Sequence, residues 1–313
     1  MTAPRRFGDT LAARVAERES QIVLGLDPDP AALWPGSDAG LEKGGDPADV
    51  AARSVRAHCL ALIDATAEAC VAVKLQLARF ELLGAAGWAV LAALAEHARR
   101  AGLLVIADGK RGDIDVTAAA YAAALIGGAE SPFGRIDGLA ADLVTVNPLM
   151  GRDAVAPFLD AARPRGSGVL VLVRTSNPGA ADLEDLRLED GRTVWERIAE
   201  MVDGLGRPGV GESGLSDVGA VVGATEPGHL ARARELMPQA TFLLPGVGAQ
   251  GGRVERLAAA FAPGRAGGLV SASRSIAGAY LTSGGDPAAA ALSEAERLRE
   301  AAWSISEAGA AAR

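Results

Sequence analysis

Eight short apolar segments recur along this 313-residue chain, and each is followed by a stretch with apolar residues at helical spacing. Strands that alternate with helices form parallel sheets, and eight such units in a chain of this length favour closure into an α/β barrel. We therefore predict a single (β/α)8 TIM-barrel domain over residues 1–313, with a short N-terminal helix at about 7–18. The predicted strands are 22–27, 71–76, a third from Val105 onward, 142–147, 168–174, 218–224, 241–245 and 268–272.

The alternative fold for such a pattern is an open, doubly wound sheet. No GxGxxG motif follows the first strand, which argues against a dinucleotide-binding sheet. The glycine-rich segment 206–216 precedes the sixth strand, so we expect it on the face opposite the chemistry. The helices predicted after the eight strands span about 47–68, 78–101, 114–125, 151–163, 193–205, 227–236, 253–261 and 287–305.

Charge and cysteine usage limit the classes of partner. The net charge is −8 and no Lys/Arg block occurs, which argues against nucleic acid and anionic membranes. Cys59 and Cys70 lack metal-ligand spacing, so we expect neither a disulfide nor a metal site. The N-terminus has no apolar core of a signal peptide, and no run of about 18 apolar residues occurs. A cytoplasmic protein is expected.

Lysine is scarce in this chain, and its positions are informative. Of 31 basic residues only Lys43, Lys74 and Lys110 are lysines, and the last two end apolar strands. Arginine keeps its proton under ordinary conditions, whereas an ammonium group can release one. Lysine retained at two strand ends therefore indicates proton transfer.

Charged residues end the first three strands. Asp27, Lys74 and the pair Asp108/Lys110 follow one another around the predicted barrel, and Asp113 comes just after. Successive strand residues alternate faces, so Asp108 and Lys110 should project together. Burying several charges costs multiple kcal/mol, which favours a catalytic array over a structural ion-pair network. For Asp113 alone, capping the next helix is a sufficient explanation.

Two further strand ends indicate an anionic ligand. The glycine-rich segment 245–252 follows strand seven, and Arg274 follows strand eight. Barrels often bind phosphate with the loops after these two strands, and an arginine can grip phosphate oxygens bidentately. Residues 175–179, Thr-Ser-Asn-Pro-Gly, have the composition of a turn, with polar readout of a ligand ring as the alternative.

These motifs resemble a known family. Residues 108–114, Asp-Gly-Lys-Arg-Gly-Asp-Ile, look like the DxKxxD signature of the orotidine 5′-phosphate decarboxylase suprafamily. The sequence of these motifs is similar to that of the longer bacterial, type 2 branch of the decarboxylase. The similarity includes Gly-Leu-Asp-Pro at 25–28, Thr-Ser-Asn-Pro-Gly at 175–179 and the segment 245–252. The resemblance runs from strand one to strand eight. Where the family often has a proline after the strand-two lysine, this chain has Leu75.

The resemblance implies a cofactor-free conversion of orotidine 5′-phosphate (OMP) to UMP and CO2 in pyrimidine biosynthesis. It implies a homodimer with shared active sites, in which Asp113 and Thr117 enter the neighbouring subunit's site. The implied catalytic residues are Lys74, Asp108, Lys110 and Asp113. The implied substrate contacts are Asp27 and Thr117 to the ribose, Ser176 to the pyrimidine, and Gln250 and Arg274 to the phosphate.

The expected chemistry suits these residue types. Loss of CO2 from C6 of the orotate ring leaves an in-plane carbanion, which Lys110 can stabilise and then protonate. Phosphate binding would drive closure of the 245–252 loop. Two alternatives remain open: a metal-dependent enzyme similar to 3-keto-L-gulonate 6-phosphate decarboxylase or hexulose-phosphate synthase, and a non-catalytic barrel that binds phosphometabolites. The metal-dependent enzymes need an acidic ligand on strand two, where this chain has Lys74.

Overall fold

The strands of the chain close into one parallel barrel. A computed structural model describes residues 5–40, 44–248 and 251–311. Each strand pairs with its neighbours in sequence, and the eighth pairs with the first, as a (β/α)8 barrel requires. The strands are β1 Ile22–Leu26, β2 Ala72–Gln76, β3 Leu104–Arg111, β4 Leu143–Val146, β5 Gly168–Arg174, β6 Val218–Val222, β7 Phe242–Leu244 and β8 Gly268–Ala272. The predicted fold class is confirmed.

Helices surround the barrel in the described part of the chain. They are α1 Phe7–Arg18, α2 Pro47–Thr66, α3 Leu77–Glu81, α4 Gly84–Arg100, α5 Asp115–Ala122, α6 Ala156–Ala162, α7 Val194–Gly206, α8 Pro227–Leu236, α9 Arg274–Ala277, α10 Tyr280–Ser283 and α11 Pro287–Ala311. The α7 helix begins with a capping box, in which Thr193 and Glu196 satisfy each other's backbone N–H groups. No helix of the described residues is long and apolar enough to cross a bilayer.

Three predicted helices differ from the structure. The helix predicted at 151–163 is shorter, because Arg152–Ala154 form a 3-10 turn and α6 begins only at Ala156. The segment 78–101 is divided into α3 and α4, because Gly84 adopts a φ of +60° that an α-helix does not allow. The helix predicted at 253–261 is wrong: Val254–Arg256 and Ala258–Phe261 form 3-10 turns instead. Pro263 follows almost at once, so the segment is too short to sustain an α-helix by itself.

The barrel interior is apolar at one end and polar at the other. Phe7, Leu11 and Val15 of α1 close the N-terminal end and pack with inward residues of the strands, such as Ile106 and Leu170. Every second residue of each strand continues to point into the barrel toward its C-terminal end. There β2, β3 and β4 deliver polar residues instead of apolar ones, so the apolar layer forms the floor of a cavity that is polar on that side.

The N-terminal face of the barrel is held by buried arginine. Arg234 donates to the carbonyls of Met237, Ala240, Ala260 and Gly267 at 2.7–2.9 Å. These contacts join the end of α8 to the segments that enter β7 and β8. The glycine-rich segment 206–216 lies on this same face, before β6, as expected.

Candidate active site

A cavity of about 370 Å³ opens at the C-terminal ends of the strands. All eight strands, or the residues directly after them, contribute to its lining. In barrels of this kind, the C-terminal face is where enzymes place their chemistry. The predicted site residues that line it are Asp27, Lys74, Asp108, Lys110, Ser176 and Arg274.

Asp108 is the centre of the polar end of this cavity. The carboxylate is 4% exposed and accepts four hydrogen bonds. Oδ1 accepts from Lys110 Nζ at 2.6 Å and from Thr145 Oγ1 at 2.9 Å. Oδ2 accepts from Lys74 Nζ at 2.8 Å and from Gln76 Nε2 at 3.2 Å. Two cations and two neutral donors therefore fix the orientation of one carboxylate.

The charges of this array are mutually stabilised. Burial raises the pKa of Asp108, but Lys74 and Lys110 outweigh that effect and hold the pKa at about 2. Burial lowers the pKa of Lys74, yet Asp108, together with Asp27 at 3.4 Å, brings it above its usual value. Asp108 and Lys74 are thus both charged at neutral pH. Apolar residues of similar volume often stabilise a core as well as a buried ion pair does. Stability alone therefore does not explain these buried charges, and their presence indicates a functional site.

A bulge in β3 places Lys110 beside Asp108. Ala107 pairs with Val144 and Arg111 with Val146, so three residues of β3 lie opposite Thr145 alone. Regular alternation of the strand therefore does not explain why Asp108 and Lys110 lie together. Lys110 takes a left-handed φ of +46°, and a Cβ on Gly109 would lie 2.7 Å from Leu77 Cδ1. A larger residue at 109 would require Leu77 to move, and the bulge redirects the lysine that follows.

The loop after β5 is held by two carboxylates. Glu184 accepts from Thr175 N and Thr175 Oγ1, both at 2.9 Å. Asp185 accepts two hydrogen bonds from Arg174, also at 2.9 Å. These contacts order the loop that carries Ser176 at the cavity wall. Glu184 and Asp185 were not predicted as site residues, since nothing in the sequence shows that this downstream segment folds back.

Thr145 and Gln76 were also missed as site residues. Each is a polar residue in an otherwise apolar strand, and Gln76 shares the inward phase of Lys74. Both touch Asp108. An uncharged polar side chain at the inward phase of a barrel strand is the signal that could have identified them.

The end of the cavity where an anion was predicted to bind lies between β7 and β8. Pro245, Gly246 and Val247 line it with Arg274, the first residue of α9. The segment after β7 is closed by two backbone hydrogen bonds between Gly246, Gly248 and Gly252. Within the described residues, no carboxylate pairs with the Arg274 guanidinium, so it can bind an anion. Gln250, the other predicted phosphate contact, lies outside the described residues.

Asp113 and Thr117 do not line this cavity. The Asp113 carboxylate accepts from Ile114 N at 2.9 Å just before α5, and Thr117 is exposed on that helix. Large apolar side chains in the described segments near the ends of β2, β3 and β4 are also exposed. They include Leu82, Ile114, Val116, Leu149 and Met150, which are 47–77% exposed.

No metal-binding cluster is evident in residues 5–40, 44–248 and 251–311: they hold no group of three or more His, Cys, Asp or Glu side chains arranged to bind an ion. The cavity is instead lined by the Asp/Lys array at one end and by Arg274 at the other. Cys59 and Cys70 are buried, unbridged thiols.

Comparison with known proteins agrees with this geometry. Residues 20–292 match the model of the orotidine 5′-phosphate decarboxylase / HUMPS family. An orotidine 5′-phosphate decarboxylase of Rhodopirellula baltica is 42% identical over 278 residues, covering 88% of this chain and 89% of the relative. One of Deinococcus radiodurans is 42% identical over 271 residues, covering 86% and 88%.

Solved structures with the same fold lead to the same family. The crystal structure of a putative orotidine 5′-phosphate decarboxylase from Streptomyces avermitilis has a TM-score of 0.78 at 31% identity and covers 99% of this chain and 98% of its own. A putative orotidine-monophosphate decarboxylase from Toxoplasma gondii has a TM-score of 0.76 at 29% identity, with 97% and 98% covered. The chain therefore belongs to the orotidine 5′-phosphate decarboxylase / HUMPS family.

Proposed function

We propose that this chain decarboxylates OMP to UMP and CO2, with Lys110 as the proton donor. The observation that carries the proposal is Asp108, which is buried and ionised between Lys74 and Lys110 in the barrel cavity. Such an array suits a reaction that creates a carbanion and then protonates it. We also propose that residues 1–313 form a single domain of a cytoplasmic enzyme of pyrimidine biosynthesis.

The reaction needs a cation and a proton at one carbon. As the bond between C6 and the carboxylate breaks, its electron pair stays on C6 and CO2 leaves. The Lys110 ammonium stabilises the pair and transfers a proton to C6, giving UMP and a neutral amine that regains its proton from solvent. Asp108 repels the substrate carboxylate, and this repulsion ends when neutral CO2 forms. Neither a metal nor an organic cofactor enters this scheme.

The remaining contacts hold the substrate across the cavity. In this proposal Asp27 and Lys74 bind the ribose hydroxyls, Ser176 reads the pyrimidine edge, and Arg274 with Gln250 binds the phosphate. Leu172, Val221 and Leu243 supply an apolar wall to the cavity. A planar ring can pack against such a wall while its polar edge faces Ser176.

A metal-dependent enzyme is the alternative within this family. Such a site needs a carboxylate on the second strand, and β2 presents Lys74 and Gln76 to the cavity instead. The Lys74 ammonium already binds Asp27 and Asp108. A divalent cation beside it would be repelled, which favours the cofactor-free decarboxylase.

Loss of OMP absorbance tests the activity directly. Purified protein should convert OMP to UMP at the same rate with and without excess EDTA, because the proposed proton donor is a side chain. Activity that EDTA abolishes and Mg²⁺ restores would establish the metal-dependent alternative. An absence of turnover in protein that binds UMP would indicate a non-catalytic phosphometabolite-binding barrel.

We propose further that the enzyme is a homodimer with shared sites. Asp113 and Thr117 lie outside their own cavity, and the exposed apolar residues beside them suit burial against a second copy. In the dimer, Asp113 would complete the Asp/Lys array of the partner. Thr117 would reach the partner's ribose site.

Mixing two inactive variants tests this shared site. Lys110→Ala and Asp113→Ala should each be inactive alone, because each lacks one member of the array. A heterodimer regains one intact site, so equal mixing with subunit exchange should restore about a quarter of wild-type activity. Mixtures that stay inactive although mass spectrometry shows heterodimers would contradict the proposal.

A further inference from the structure

The β3 bulge leaves one backbone group of Lys110 without a strand partner. Opposite the three residues 108–110, β4 offers only Thr145. In place of a carbonyl, the Lys110 N–H finds the Thr145 hydroxyl oxygen at 2.9 Å. The Thr145 side chain thus replaces the missing backbone hydrogen bond between β3 and β4, at the bulge that redirects Lys110.

The direction of the hydrogen bonds is fixed at Thr145. A backbone N–H can only donate, so Thr145 Oγ1 accepts from Lys110. The hydroxyl proton is then directed to Asp108 Oδ1, 2.9 Å away, because a carboxylate only accepts. Asp108 Oδ1 also accepts from Lys110 Nζ at 2.6 Å. The contacts form a closed ring that holds Lys110 at both its backbone nitrogen and its ammonium group.

This ring maintains a strained conformation. Lys110 has a φ of +46°, in the left-handed region that a non-glycine residue adopts only at an energetic cost. Its side chain is 44% exposed, so packing alone does not hold it. Thr145, by contrast, is fully buried and rigid on β4. The buried residue therefore fixes the position of the more exposed one.

We propose that Thr145 is a positioning residue for the reaction: its hydroxyl closes the β3 bulge and aims the Lys110 ammonium at the carbon that it protonates. The inference rests on the proposed function and adds a residue to it. Thr145 transfers no proton to substrate and acts through Lys110 and Asp108. The residues proposed to bind the phosphate and the pyrimidine, which would provide affinity, are other lining residues of the cavity, Arg274 and Ser176.

Thr145→Val tests the inference, since valine keeps the shape and removes the hydroxyl. We expect kcat for OMP to fall about 100-fold with KM little changed, because the misplaced ammonium affects the chemical step. Thr145→Ser restores the hydroxyl and should recover most of kcat. If the valine variant does not fold, Thr145→Ala removes the same hydroxyl and is interpreted in the same way.

Thr241→Val is the matched control. Thr241 is also a buried barrel threonine, but its hydroxyl donates to Ala266 O at 3.1 Å, at the opposite end of the barrel. Its loss should lower Tm and leave kcat unchanged. An active wild type with a Thr145→Val kcat at the wild-type level, or with equal losses for valine and serine, overturns the inference alone. A wild type with no turnover overturns the proposed function and the inference with it.

Discussion

Lys110→Ala is expected to abolish turnover of OMP. Lys110 both stabilises the developing carbanion and supplies its proton, so its removal should lower kcat by at least about 10⁴-fold. The folded state should survive, because the side chain is 44% exposed. Absorbance assays at saturating OMP give kcat, and thermal unfolding confirms the fold.

Two variants sharpen this result. Lys110→Arg keeps a cation near Asp108 but cannot release its proton at ordinary pH, so it should also fail to turn over. Arg79→Ala removes a cation of matched exposure, 45%, that pairs with Asp29 and does not line the cavity. It should retain wild-type kcat. A Lys110→Ala enzyme within tenfold of wild type would show that another group donates the proton.

The fold was predictable because local and global signals agree along this chain. Each strand is an apolar run that ends at a breaker or a charge, and those charges mark the catalytic end of a barrel. The predicted ends at Asp27, Lys74 and Asp108 all line the cavity. Helix boundaries were less predictable where α-helical and 3-10 turns compete, as at 253–261.

The fine geometry of the site was not predictable, because it depends on tertiary contacts. Strand alternation places Asp108 and Lys110 on one side, but the structure brings them together through a bulge that nothing in the apolar pattern indicates. Glu184 reaches Thr175 across a loop whose path only the folded chain defines. The first feature depends on the register of strand pairing, and the second depends on a loop that folds back on itself. The hydrophobic periodicity of the sequence indicates neither of them.

The scarcity of lysine gains a physical explanation. Both lysines in the described residues, Lys74 and Lys110, bind Asp108. Arginines outside the cavity take structural positions: Arg234 satisfies carbonyls on the opposite face, and Arg163 pairs with Asp217. A planar fork of permanent donors suits such sites, whereas the ammonium group of a lysine can release a proton. The use of lysine at the array and of arginine at structural sites is therefore consistent with the proposed proton transfer.

Arg274→Ala should lower kcat/KM for OMP by about 10³-fold, equivalent to about 4 kcal/mol of transition-state stabilisation. Within the described residues its guanidinium has no carboxylate partner, so its charge is available to the substrate phosphate. Binding energy from a non-reacting group can organise the distant reacting end. The loss should therefore appear in kcat as well as in KM. Steady-state assays of wild type and variant over a range of OMP concentrations measure both.

A truncated substrate isolates the phosphate contribution. Orotidine lacks the phosphate, so wild type and Arg274→Ala should turn it over at similarly low kcat/KM. Arg297→Ala is the matched control: Arg297 borders a groove next to Arg274, but it pairs with Glu294 at 2.7 Å and does not line the cavity. That variant should match wild type with both substrates. Equal losses of Arg274→Ala on OMP and on orotidine would contradict phosphate recognition, because an arginine that supports only the fold affects both substrates alike.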